Sequence, residues 1–212
     1  MIRKSILKKI KSVKPHFFKN SIQNVFSWKE LENLLNLRPL LSPDRFHSVT
    51  NESSLSWDDQ AWVLDQKTYP PSTVGYLIQN HSCFIQDASR VNKKINNICL
   101  QLEQTFNGDC DAHIFFNLSN NLQEGFGIHH DKSHNLIVQV AGKSEVKVWN
   151  GLEKDNPEQI VICEIMHPGD AVFIPMDVSH CITSLTKRLS ISFPINFNWK
   201  KEHQDRNWIV LE

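Results

Sequence analysis

At 212 residues, with 40% of them hydrophobic and 22% charged, the chain can bury one substantial core, and its length favours one globular domain over two. Its five cysteines (Cys83, Cys99, Cys110, Cys163 and Cys181) are odd in number and form no CxxC pair, which argues against a disulfide framework or zinc knuckle and for reduced thiols in a cytoplasmic setting. No apolar run approaches the roughly 18–20 residues of a membrane span, no signal-peptide core opens the chain, and the formal charges sum to zero.

That zero hides an asymmetry: residues 1–29 hold eight Lys/Arg and no acid, while the remainder carries 15 basic against 23 acidic residues, a balance of −8. Within this arm Ile2, Ile6, Ile10 and Val13 recur at helical spacing among Lys4, Lys8, Lys9, Lys11 and Lys14, which predicts a basic amphipathic helix. Such a helix could dock on RNA, a membrane or another anionic partner, or pack on the domain with its lysines in solvent. The next stretch, SWKELENLLNL over residues 27–37, starts with Ser27 and carries Glu30 three positions on. That capping-box pattern ahead of Leu31, Leu34 and Leu35 predicts a short helix. A further helix is predicted over residues 90–106, where Val91, Ile95, Ile98, Leu102 and Phe106 share a stripe. Between the two, the mixed region around Pro70-Pro71 yields no order.

After residue 110 the apolar period changes from 3.6 to 2, and eight strand-like segments follow: DAHIFFNL, GFGIHH, NLIVQVA, SEVKVWN, QIVICEI, DAVFIP, HCITSL and RLSISFPI. Asn120, Gly142, Asn156-Pro157 and Pro168-Gly169 punctuate them. Eight short strands after N-terminal helices predict a mainly β chain whose residues 110–196 form a jelly roll, with a mouth at one end that admits a small ligand. The tail, residues 197–212, carries Trp199 and Trp208 and could pack on the barrel or form a homodimer contact.

His129 and Asp131 stand two apart, so on an extended segment both side chains leave one face and can grip one ion. His180 heads the seventh segment and supplies a third ligand if that segment lies beside the second, as a jelly roll allows. Two imidazoles and a carboxylate on one side of a metal leave the opposite positions open, the facial arrangement of non-haem Fe(II) oxygenases. His130 could replace His129, but adjacent strand residues point to opposite faces, which turns it from Asp131. His113 and His167 read as ordinary polar residues.

HHDKSHNLIVQVAGKSEVKVW resembles the H-x-D-x-x-x-N-L-x-x-Q-V-x-G segment of JmjC-type, cupin-like 2-oxoglutarate oxygenases, the group holding asparaginyl and ribosomal-protein hydroxylases. PGDAVFIPMDVSH resembles their second-histidine segment, and FSWKELENLL their N-terminal helix. The resemblance spans residues 15–195, loosely before residue 110 and specifically after it. It implies a cupin-like double-stranded β-helix, Fe(II) held by His129, Asp131 and His180, 2-oxoglutarate contacted by Asn135, and O2 as oxidant. Residues 1–14 precede it, so the basic arm is expected to be separable from the metal chemistry.

Two positions depart from the family pattern. The Lys or Arg that usually pairs with the far carboxylate of 2-oxoglutarate is replaced by Ser144, and a hydroxyl position three residues before the first histidine is Phe126. Ser144 shares an inward face with Val146 and Val148, whereas Lys143, Glu145 and Lys147 share the solvent face. A buried dicarboxylate needs a cation. Arg188, with Ser190, resembles the Arg-x-Ser pair that anchors 2-oxoglutarate in other oxygenases of this barrel. The resemblance thus implies an Fe(II)/2-oxoglutarate-dependent hydroxylase of a peptide or protein side chain. The alternatives are a hydroxylase of an amino acid or other small metabolite, and a non-catalytic metal-binding cupin.

Overall fold

A computed structural model describes residues 1–42, 44–49, 68–119, 123–151 and 159–196. Among these residues, twelve strands form two antiparallel sheets that face each other as a double-stranded β-helix, with helices packed on the outer face of the larger. The larger sheet runs β1 (His16–Phe18), β10 (Ala171–Ile174), β7 (His134–Ala141), β12 (Arg188–Asn196), β5 (His113–Asn117), β3 (Ser82–Ile85) and β2 (Phe46–Val49), and β4 (Asp109–Cys110) also pairs with β12. The smaller runs β6 (Gln123–Glu124), β11 (His180–Ser184), β8 (Ser144–Trp149) and β9 (Ile160–Met166).

Alternation along the strands sorts two interiors. On β12, Leu189, Ile191, Phe193 and Ile195 face the helices, while Arg188, Ser190 and Ser192 face the space between the sheets. On β7, Leu136 and Val138 join the helix-side core, and Asn135 and Ile137 line the inter-sheet space. Both strands are buried on both faces, yet β12 alternates apolar with polar residues, because Arg188, Ser190 and Ser192 line the inter-sheet space while remaining buried.

The helices are α1 (Lys4–Ile10), α2 (Trp28–Leu35), α3 (Pro71–Asn80) and α4 (Lys93–Phe106). α2 starts as its sequence requires: the Glu30 amide donates to Ser27 Oγ at 3.2 Å, and Ser27 Oγ donates to the Glu30 carboxylate at 2.7 Å. α4 begins at Lys93 rather than residue 90, because Asn92 Oδ1 accepts from the amides of Lys94 (2.8 Å) and Ile95 (3.3 Å) and fixes the start there.

Of the two readings of the basic arm, the structure gives the one in which it packs on the domain, so it is not the separable arm that its position before the resemblance suggested: the N-terminus is built into the fold. Ile2, Ile6, Leu7 and Ile10 are buried in the helix-side core, and β1 extends the larger sheet through Phe17 opposite Val172. Gln101 on α4 clasps Ile2 by both its amide and its carbonyl, at 2.9 Å each. Four such side chains contribute about 6–12 kcal/mol at about 1.5–3 kcal/mol each, the size of a whole domain's net stability. Val13, expected on the same stripe, is exposed and left-handed (φ 51°), because the helix has already ended.

The unordered middle supplies β2, α3 and β3, so the larger sheet reaches well before residue 110. GFGIHH, expected to be a strand, bends at Gly127 (φ 67°), and one bridge, His129 to His180, ties it to β11. Asn120, Asn156-Pro157 and the tail from residue 197 lie outside the described residues. No helix among the described residues is long and apolar enough to cross a membrane.

Candidate metal centre

His180 opens β11 and exchanges backbone hydrogen bonds with His129 in both directions, at 3.0 and 2.8 Å. Asp131 is held beside them by its own carbonyl, which accepts from the Asp177 amide at 2.9 Å. The Asp131 carboxylate then lies 3.9 Å from His129 Nε2 and 3.5 Å from His180 Nε2. One donor atom from each of the three falls within 4.8 Å of the others, a spacing that can enclose one metal ion. His130 is exposed and outside this group.

Both rings are oriented from behind. His129 Nδ1 lies 3.0 Å from the Gly127 carbonyl, and His180 Nδ1 lies 3.0 Å from the Val178 carbonyl. A carbonyl only accepts, so each Nδ1 carries a proton, which leaves the Nε2 of each ring, on the Asp131 side, as the atom a metal could take. Burial, and then the neighbouring His129, push the His180 pKa below its ordinary value, which favours the neutral ring that a metal requires. Asn135 Nδ2 donates to Asp131 Oδ2 at 2.6 Å, and its own Oδ1 accepts from Ser192 Oγ at 3.1 Å. Asn135, which the resemblance implies as a 2-oxoglutarate contact, is placed by the structure where it orients the Asp131 carboxylate.

A cavity of about 300 Å³ runs inward from the three residues, with Asn135, Arg188, Ser190 and Ser192 in its wall. Arg188 is 5% exposed, and burial alone lowers its pKa to about 10. No carboxylate pairs with it among the described residues, and its Nε has no hydrogen-bond partner there. Its cross-strand neighbour Asn117 has an unpartnered Nδ2, and Ser184 an unpartnered Oγ. Each of these buried atoms can donate a hydrogen, and none finds an acceptor among the described residues. Ser144 is fully buried, as its face implied, and donates to Gln139 Oε1 at 3.1 Å, while Lys143 is exposed.

The sequence did not reveal the other wall. Phe84 stacks on Phe115 with centroids 5.1 Å apart, and Phe126 meets both edge-on at 5.7 and 6.2 Å. Phe126 also stands edge-on to His129 at 5.4 Å, so an aromatic cluster reaches the candidate metal ligands from β3 and β5. The only signal was the alternation in HIFFN, since β3 is four residues long, too short to show a period.

The JmjC domain model matches residues 88–203, more than half of the chain. The chain belongs to the JmjC-domain family. No curated protein matches its sequence. This JmjC-domain protein is similar in fold to a crystal structure of the ribosomal oxygenase YcfD of Escherichia coli, at 20% identity and a TM-score of 0.64, over 95% of this chain and 54% of that one. The same enzyme with cobalt and succinic acid gives 21% identity and 0.59, over 86% of this chain and 48% of that one. With cobalt and 2-oxoglutarate it gives 16% identity and 0.55, over 94% and 55%. The JmjC-domain chain thus spans about half the length of these structures' chains.

Proposed function

We propose that this JmjC-domain protein is an Fe(II)- and 2-oxoglutarate-dependent hydroxylase of a peptide or protein side chain, working as one domain. The donor set of His129, Asp131 and His180 carries the reading. Two neutral imidazole nitrogens and one carboxylate, gathered on one side and each braced from behind, suit Fe(II) with positions left open opposite. Bound there, Fe(II) with 2-oxoglutarate and O2 would supply the power to oxidise an unactivated C–H bond, 2-oxoglutarate leaving as succinate and CO2.

The protein's part is geometric. Gly127 and Val178 hold the two rings by their carbonyls, and Asn135, braced by Ser192, holds the carboxylate of Asp131. Arg188 would take the far carboxylate of 2-oxoglutarate through two parallel N–H donors, with Ser190 adding a third. A guanidinium stripped of water and left without a counter-charge is costly, and a carboxylate is its complement. Phe84, Phe115 and Phe126 would keep water from the reacting face. A metal and the keto acid occupy the Escherichia coli ribosomal oxygenase of the same fold, which supports both cofactor assignments and favours a protein substrate over a small metabolite.

Crystals grown anaerobically with Mn(II) and 2-oxoglutarate test the assignment. The reading requires the ion on His129 Nε2, His180 Nε2 and Asp131, and the far carboxylate on Arg188. Metal at those atoms with the keto acid elsewhere, or absent at saturating concentration, would refute the co-substrate half.

A further inference from the structure

The apolar stripe of α1 is wholly committed to the core through Ile2, Ile6, Leu7 and Ile10, which fixes what its other side presents. At 100° per residue Lys8 lies opposite that stripe, with Lys4 one turn before it and Lys11 one turn after. All three are exposed, as are Lys9 and Lys14 on the flank. Among the described residues none of these five cations forms an ion pair, and the first 29 residues contain no acid. Like charges one turn apart destabilise a helix, and although Lys11 Nζ lies 6.0 Å from the centre of the Phe106 ring, no acid among the described residues pairs with the row.

We propose that the Lys4–Lys8–Lys11 ridge, flanked by Lys9 and Lys14, is a docking surface for the phosphodiester backbone of single-stranded RNA. A compact ammonium suits a phosphate as a point charge. A bilayer is a poor occupant, because an interfacial helix must insert an apolar face and that of α1 is buried; Met1 and Val13, the exposed apolar residues nearby, stand at opposite ends. An acidic protein is a poor one too, since protein interfaces form around apolar anchors and the ridge has none. Duplex grooves are closed to a helix fastened along its length, so contact is with the backbone alone. The half-buried ring of His16 lies beside the ridge, close enough for Lys9 and Lys14 to lower its pKa after burial has done so, and offers a face for an unpaired base. The choice of RNA over single-stranded DNA rests on the proposed function, which a ribosomal oxygenase of similar fold supports.

Fluorescence anisotropy with a labelled single-stranded RNA tests this on the full chain without turnover, so its failure is distinct from failure of the hydroxylase reading. The wild type should lose affinity with salt at a log–log slope of about −2 or steeper, roughly −0.7 for each of three or more phosphates neutralised. Lys4→Glu/Lys8→Glu/Lys11→Glu should weaken binding at least about tenfold and flatten the slope by about 2, with wild-type unfolding temperature and metal binding. If charge reversal lowers the unfolding temperature, the triple Gln variant should still flatten the slope. RNA bound equally by both variants and wild type overturns the surface. Tighter binding to single-stranded DNA, or to vesicles of anionic phospholipid, overturns the choice of partner.

Discussion

His129 and His180 exchange both of their backbone hydrogen bonds, at 3.0 and 2.8 Å, and their ring centroids stand 4.3 Å apart. That bridge ties a bent loop to the first residue of β11, so the donor atoms meet only when the larger architecture has closed. Metal affinity is therefore tied to folding, and each ligand should count.

Asp131→Ala and His180→Ala should each weaken Fe(II) or Mn(II) binding by at least about a hundredfold, because three protein ligands are the usual minimum for an open site. His130→Ala, which alters an exposed side chain, should change it less than about threefold. Metal content after gel filtration, measured by atomic absorption, separates the two cases.

Asn135→Ala removes the 2.6 Å hydrogen bond that orients Asp131. Loss of such an outer partner typically costs about 10–100-fold in metal affinity, and Ser192→Ala, one step further out, should cost less. Competition titration against a chelator of known affinity reads both.

Arg188→Ala should weaken 2-oxoglutarate at least about a hundredfold, since breaking a buried pair costs on the order of 3–5 kcal/mol, whereas Lys143→Ala should leave it unchanged. Stability should move the other way. Burial lowers the folded-state pKa to about 10, well below the ordinary arginine value, so the fold opposes the charged form. A cation whose pKa is lowered by folding destabilises the fold at every pH below the lowered value, and the penalty fades only as pH rises above about 10. Arg188→Met should thus raise the unfolding temperature of the ligand-free protein while abolishing co-substrate binding. Thermal unfolding with and without 2-oxoglutarate measures both effects.

Ile10→Ala should cost about 2–5 kcal/mol, because the side chain is fully buried in the helix-side core. Deleting residues 1–10 should unfold the chain. Urea unfolding followed by circular dichroism checks the first, and soluble yield the second.

The parts of this molecule that were legible in its sequence are those set by local pattern. The two-residue spacing of His129 and Asp131, the period-2 segments after residue 110 and the inward face of Ser144 each follow from a few adjacent side chains. What escaped depends on register between distant segments. Asn117 and Ser192 matter because β12 sets them beside Arg188 and Asn135, and no sequence window contains those pairs. Phe84 reaches the site from a four-residue strand in a stretch with no visible period. The α1 stripe was seen, but both docking on a partner and packing on the domain stayed open, because amphipathicity alone does not say whether an apolar face finds a core.

The most direct test is consumption of 2-oxoglutarate by the iron-loaded protein, followed as succinate by NMR with and without O2. The proposed function requires O2-dependent conversion, at least at a slow uncoupled rate without substrate, that disappears in Asp131→Ala. Stoichiometric iron on His129, Asp131 and His180 with no O2-dependent succinate, alone or with peptide and ribosomal-protein substrates, would contradict it and leave a metal-binding barrel without turnover.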